Sequence, residues 1–498
     1  MTQTFIGVDS VGVPCIKITK GTIDPSSEPD ANVGSFYFNS KWSKDIKIQK
    51  VITLPQATGT AYMPAGSNQG NYQWASYTDF GTYYQVFRAS YFGADYTFPA
   101  YDVKVKRRAD GRFIEQTRTR FQSGEDAAGR EAAFYRTRIW GLWYENLPGY
   151  GTFGTTYYNF FGGIGAAFVP TVGAANDPYV ILWSLPGNNV PIHDSTPQVP
   201  VPGQRVVEIT DDFCRVAKPG FDTRTATPFQ MAFDSSRRPV KIIKGDDIAL
   251  PLGVSSYNLG FPVTENTVCD MILYTGSVIT FPMSQYNEQL VTEYWFSGTS
   301  IFFNNTAAAC RVRFIVMAFD SSPPTTGANK VLRQFVEGGQ NVVQFMKPGA
   351  ADPPNFADIV LDSRWPSLQI LAEGSQPIAG QPNRVPPGSV NTGQSFTVNF
   401  DSAGMFPFVK YWTRNFHSRD GWTIKPALTF ITENYNNSTR YHQGNSSYCV
   451  LTANQATFWT FNGNPAIEYS TGGTSWGFDY PADPISEIRY FILGIPTP

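Results

Sequence analysis

The sequence predicts an all-β protein of three tandem β-sandwich-like domains with long loop insertions in the first and third. Three observations lead there. Turn formers are dense, with 44 Gly and 37 Pro in 498 residues, which favours many short strands over long helices. The chain is longer than one hydrophobic core usually serves. One strand–turn–strand pattern also occurs three times, and such self-similarity sets the organisation of a chain.

The pattern opens at Cys15, Cys214 and Val343. In each copy an alternating apolar strand leads into a tight turn: Lys20-Gly21, Lys218-Pro219-Gly220 or Lys347-Pro348-Gly349. Proline presets φ and glycine supplies φ > 0, so a type-II-like turn is expected. A polar linker and a second strand follow, ending on Phe38-Asn39-Ser40, Phe233-Asp234-Ser235 or Leu361-Asp362-Ser363. There the Asx and Ser side chains bond nearby backbone and stop the strand. A third strand comes next, at Ile46-Lys47-Ile48, Val240-Lys241-Ile242 or Leu368-Gln369-Ile370, alternating apolar and polar. Matching Cys15 to Cys214 makes both of them buried small hydrophobes rather than reactive thiols.

Each copy also closes alike. PYVILWSLP (178–186), RVRFIVMAFD (311–320) and IRYFILGIP (488–496) are β-branched and aromatic runs, each followed by proline. Opening and closing together bracket domains at 1–200, 201–330 and 331–498, joined by Pro-rich linkers. The middle domain has the shortest body and is expected to be a minimal sandwich.

Composition narrows the function. Charged residues are 16%, hydrophobic residues 42% and aromatic residues 15%, so the chain is globular, with a surface rich in neutral polar and aromatic groups. A net charge of −2 gives no field for nucleic acid. No apolar run is long enough for membrane insertion as a helix, and the N-terminus lacks the basic and apolar regions of a secretory signal. The five cysteines are too scattered for a disulfide framework or a zinc cage, so reduced thiols, no metal and no cofactor are expected.

No catalytic residues are assigned, and an enzyme is not expected. His193, His417 and His442 are isolated, and adjacent pairs such as Asp246-Asp247 point to opposite faces of a strand. Residues 104–138 are rich in charge of both signs, from Lys104 and Arg112 to Glu115 and Arg138, which suits a solvated or inter-subunit face. The aromatic and glycine run after it offers Trp140, Trp143, Tyr144, Tyr150, Tyr157, Tyr158, Phe160 and Phe161. A contact loop at a subunit interface is the leading reading, with the domain's own core or a ligand as alternatives. In the last domain Tyr411, Trp412, Trp422, Tyr435, Tyr441 and Trp476 stand among Asn, Ser and Thr. That mixture suits a glycan or protein receptor, with the filling of a sandwich as the leading reading.

The second copy, CRVAKPGFDTRTATPFQMAFDSSRRPVKII (214–243), resembles a segment that recurs in virion structural proteins of tailed bacteriophages. Those proteins are of the minor tail, tail-tip and baseplate-associated kinds. The first copy departs by lacking the proline, the third by Ala350-Ala351 where Phe221 stands in the second. The resemblance implies a non-enzymatic virion component of the tail tip or baseplate, synthesised in the host cytoplasm. Its partners would be itself, as a homo-oligomer, and other virion proteins. The alternatives are a tail-fibre-like adhesin that binds a host surface glycan or protein, and a head decoration protein.

Overall fold

A computed structural model gives the fold. It describes residues 3–41, 51–55, 72–77, 82–87, 99–107, 110–116, 119–123, 142–145, 156–159, 176–192, 199–210, 212–227, 230–234, 240–282, 290–305, 308–318, 331–366, 368–378, 381–382, 394–417, 421–427, 430–434, 440–442, 445–462, 468–470, 476–478 and 485–497. The protein is all-β: among the described residues there is no α-helix, only single 3-10 turns at Val33–Ser35 and Phe356–Asp358.

Each opening folds as a three-stranded antiparallel sheet. The first comprises Gln3–Val8, Pro14–Thr19 and Phe36–Asn39; the second Val207–Ile209, Cys214–Ala217 and Met231–Asp234; the third Leu332–Glu337, Gln340–Met346 and Ile359–Asp362. The register recurs down to its irregularity. Lys17 faces Asn39, Arg215 faces Asp234 and Gln344 faces Asp362. Each ladder then slips at the same place, between Ile18 and Thr19, Val216 and Ala217, and Phe345 and Met346. The turn beyond is spanned each time by the same backbone bond: the amides of Ile23, Phe221 and Ala350 donate to the carbonyls of Lys20, Lys218 and Lys347.

Gly220 and Gly349 take the third turn position at φ 86° and 80°, where a type II turn needs the left-handed region. The first copy puts Gly21 one place earlier, at φ 60°, so the turn class changes while the strands keep their register. The Ser40 and Ser363 hydroxyls accept the amides of Ile16 and Val343 at 2.9 and 3.0 Å, fastening the end of the second strand to the first.

The inner faces of the three sheets meet in one small core. Ile16, Cys214 and Val343 are counterparts there, as are Ile18, Val216 and Phe345, and Phe38, Phe233 and Leu361. The rings of Phe233 and Phe345, from different units, lie 4.9 Å apart. Register corrects one expectation: the counterpart of Cys214 is Ile16, not Cys15, although both cysteines are fully buried.

Below lie three body sheets in which each closing strand is central. Asn176–Pro186 runs between Val51–Pro55 and Pro99–Arg107. Cys310–Ala318 runs between Lys241–Leu250 and Thr267–Tyr274, and Ile485–Ile495 between Gln369–Pro377 and Phe406–His417. Burial on both faces explains why the closing strands read as nearly continuous apolar runs. We call Pro99–Arg107, Thr267–Tyr274 and Phe406–His417 the inner strands.

The units exchange strands rather than closing separately. Phe113–Gln116 of the first pairs with Val291–Ser297 of the second, fusing their strands into one seven-stranded sheet. Ile279–Phe281 of the second pairs with Asn445–Leu451 of the third. Phe430–Asn434 of the third runs parallel to Thr119–Ser123 of the first and completes the cycle. The 3-10 turns interlock in the same way. Lys241 Nζ donates to the carbonyls of Phe356 and Ala357 at 2.8 and 3.0 Å. In the matching turn, a Cβ on Gly34 would sit 2.7 Å from the Ala403 carbonyl oxygen. Body residues from all three units share one large core. The middle unit is therefore not a minimal sandwich closed on itself: its outer strands have an open edge that Phe113–Gln116 covers.

Candidate functional site

Backbone register gives part of the aromatic run a β structure rather than a loop. Trp143 and Tyr144, in Leu142–Glu145, stand opposite Tyr158 and Tyr157 of Thr156–Asn159 on one side. On the other side they stand opposite Tyr84 and Tyr83 of Thr82–Phe87, which pairs in turn with Tyr72–Tyr77. Aromatic residues favour such pleated pairing. Trp140, Tyr150, Phe160 and Phe161 lie outside the described residues.

Two of the candidate receptor residues are core. Tyr411 and Trp412 are successive residues of the third inner strand, yet they are 2% and 0% exposed. Alternation would leave one of them outward, but this strand has packed side chains on both faces. The Tyr411 hydroxyl lies 3.2 Å from Ser447 Oγ and its ring meets Phe458 edge-on, while Trp412 packs against Phe491. Neither reaches a receptor. Trp422, Tyr441 and Trp476 fall within Gly421–Pro426, Arg440–His442 and Trp476–Phe478, whose side chains are not among those described; Tyr435 lies outside the described residues.

The feature that draws all three units together is a buried charge cluster with one residue from each inner strand. Lys410 Nζ of the third unit pairs with Asp102 of the first, and at 2.5 Å with Asp270 Oδ2 of the second. Lys104 Nζ lies 3.0 Å from the other Asp270 oxygen and 3.0 Å from Glu115 Oε2. Trp183 Nε1 donates to Asp102 Oδ2 at 2.6 Å, and its ring lies under the Lys410 ammonium at 4.7 Å. Burial alone would raise the Asp270 carboxyl and lower the Lys104 ammonium. Their mutual attraction, with Lys410 beside Asp270, outweighs it, so Asp270 is held below the usual carboxylate range and Lys104 well above the usual lysine value. Glu115, with burial dominant, is pushed up.

Every carboxylate in this cluster touches a lysine, which is the arrangement of a structural lock and not of an acid/base pair. Sequence reasoning placed Lys104 and Glu115 on a solvated or inter-subunit face. Lys104 is instead buried at 6% exposure and reaches Asp270 of the second unit, while Glu115 pairs with Lys104 within the first. Arg112 also crosses between units, reaching Glu293 of the second unit at 3.1 Å. Asp102, Asp270 and Lys410 were missed entirely. Their only signal is an ionisable residue inside an otherwise apolar strand.

A second set, in the first opening sheet, joins Lys17 and Lys41 to Asp9 and Asp30 at 2.5–2.9 Å. Among the described residues, no group of three His, Cys, Asp or Glu side chains is placed to hold a metal ion. No protein-family model matches the chain, and neither a curated protein nor a solved structure does. The functional reading therefore rests on the residues and their geometry.

Proposed function

We propose that the protein is a non-enzymatic structural component of a tailed-phage virion, placed in the tail tip or baseplate, where it makes assembly contacts with further copies of itself and with other virion proteins. The observation that carries this reading is the interlocked three-unit β architecture. It is built on three copies of the turn motif whose second copy resembles those virion proteins. The charge cluster supports it, because its buried ionic groups join the units and each of its carboxylates is paired with a lysine. The aromatic segment supplies the contact surface. An adhesin is less favoured, since two of its six candidate receptor residues are core.

The double change Trp143→Ala with Tyr150→Ala tests the assignment. The isolated variant should melt like wild type while its incorporation into particles falls. A large drop in melting temperature would make these residues ordinary core, and normal incorporation would remove them from the assembly surface.

A further inference from the structure

We propose that Asp102, Asp270 and Lys410 make each unit's inner face a partner for a different unit of the same chain and not for a copy of itself, so that the folded protein is a closed single-chain pseudo-trimer. This goes beyond the virion reading and does not depend on it. The three residues occupy corresponding rungs. Asp102 faces Ile181, Asp270 faces Ile315 and Lys410 faces Phe491, each in its own closing strand. Asp270 and Lys410 each stand three residues beyond an equivalent place, Thr267 opposite Ala318 and Pro407 opposite Gly494, where Ala318 and Gly494 also face Lys241 and Gln369 on their other side. Asp102 stands three beyond Pro99, which meets Pro186 across a register shift in its ladder.

Corresponding side chains that touch one another define a cyclic arrangement of the inner strands, and the strand exchanges run around the same cycle. Three identical units would put three carboxylates or three ammoniums at this point, which a buried site does not tolerate. Two aspartates and one lysine satisfy it. The next rung inward repeats the asymmetry. Lys104 stands where Ile272 and Trp412 stand in the other units, and it gives Asp270 its second cation. Each unit thus carries its own pair, Asp with Lys, Asp with Ile, or Lys with Trp. Buried polar groups that fix register and partner choice are the best-attested use of such sites.

Full-length variants test the proposal. Lys410→Asp gives the cluster the three like charges of a homotrimer. At pH 8 its melting temperature should fall by roughly 10 °C, as expected when a buried pair is broken in a large chain. The groups facing the new carboxyl are Asp102, Asp270, Lys104, Glu115 and the Trp183 indole. Crowded carboxyls take up protons more readily in the folded state, so the gap to wild type should narrow towards pH 5. Equal melting and equal pH dependence would show that the rungs do not meet, and would overturn the proposal. The neutral variant Asp102→Asn with Lys410→Met should fold but lose partner choice. Two differently tagged copies, unfolded and refolded together, should then co-purify several-fold more than wild type, because exchange strands such as Phe113–Gln116 can insert into another chain. Lys410→Arg should match wild type. A neutral variant that folds and co-purifies no more than wild type would equally overturn the proposal; if it fails to fold, the pH comparison decides.

Discussion

Phe345→Ala should loosen all three opening sheets, not only its own. Phe345 is 1% exposed and lies in the small core between the sheets, against Phe233 of the second unit. Truncating a buried phenylalanine costs about 3–5 kcal/mol. The contact with Phe233 contributes about 0.5–1.5 kcal/mol of this as a specific ring pair. Phe233→Ala combined with Phe345→Ala should therefore cost about 1 kcal/mol less than the sum of the single changes. The assay is native-state hydrogen exchange, read on peptides covering 14–19, 214–217 and 340–346. A local loss of about 3 kcal/mol speeds exchange by roughly a hundredfold, since each 1.4 kcal/mol is a factor of ten. The effect should appear in all three peptides. Faster exchange confined to 340–346 and 359–362, with additive costs, would mean that each opening is stabilised by its own unit, and the shared core would have to be abandoned.

Other perturbations address separate contacts. Gly349→Ala should destabilise by about 1–2 kcal/mol through its left-handed φ of 80°; thermal melting reads this. Gly34→Ala should disturb more than its local turn, since its Cβ would collide with the Ala403 carbonyl, and exchange should rise around residues 400–405 as well. Burial would raise the Asp9 carboxyl, but hydrogen bonds from Lys41 and Lys17 outweigh it and hold it far below the usual range. Its contribution is present above the unfolded carboxylate value and is lost as pH falls through the folded one. Asp9→Asn should thus destabilise at pH 7, and the difference should shrink in acid, measured by denaturant midpoints. Burial pushes the Cys15 and Cys214 thiols up to about 12. Alkylation of the native protein should mark the partly exposed Cys310 and spare the four buried cysteines until unfolding, as peptide mass analysis would show.

What could be read from the sequence was whatever short-range chemistry determines. Lys-Pro-Gly makes its turn because Pro219 and Gly220 carry the needed φ values themselves, and the Asx stop acts two residues on, where Asn39 and Asp362 accept the amides of Lys41 and Arg364. The bonds of Ser40 and Ser363 back to the first strand are not local. The closing strands were legible because burial on two faces leaves an apolar run. The arrangement of the units was not, because strand exchange joins residues far apart in the chain. Letter matching also misled: Cys15 and Cys214 look alike, but hairpin register decides the counterpart, and it is Ile16. Tyr411 and Trp412 fill the core, the favoured of the two readings their composition allowed; composition could not decide between core and receptor, because burial on both faces of their strand comes from residues distant in the chain. The charge cluster had no legible pattern at all. Counterparts bearing Asp, Asp and Lys do not look like a repeat, and their complementarity exists only once the cycle has closed.

The exchange between Phe430–Asn434 and Thr119–Ser123 has a consequence for biosynthesis. The first unit leaves the ribosome with a strand whose partner is about 310 residues away, so at roughly 5–20 residues per second it waits about 15–60 s for completion. The third unit's Lys410 arrives late too, and until then Asp102 and Asp270 lack the cation they share. A nascent chain of this protein is thus an acceptor with open sheet edges for most of its translation. Expression yield should depend on how well the host shields those edges, and a ribosome stalled within the third unit should release a chain that aggregates rather than one with two finished domains.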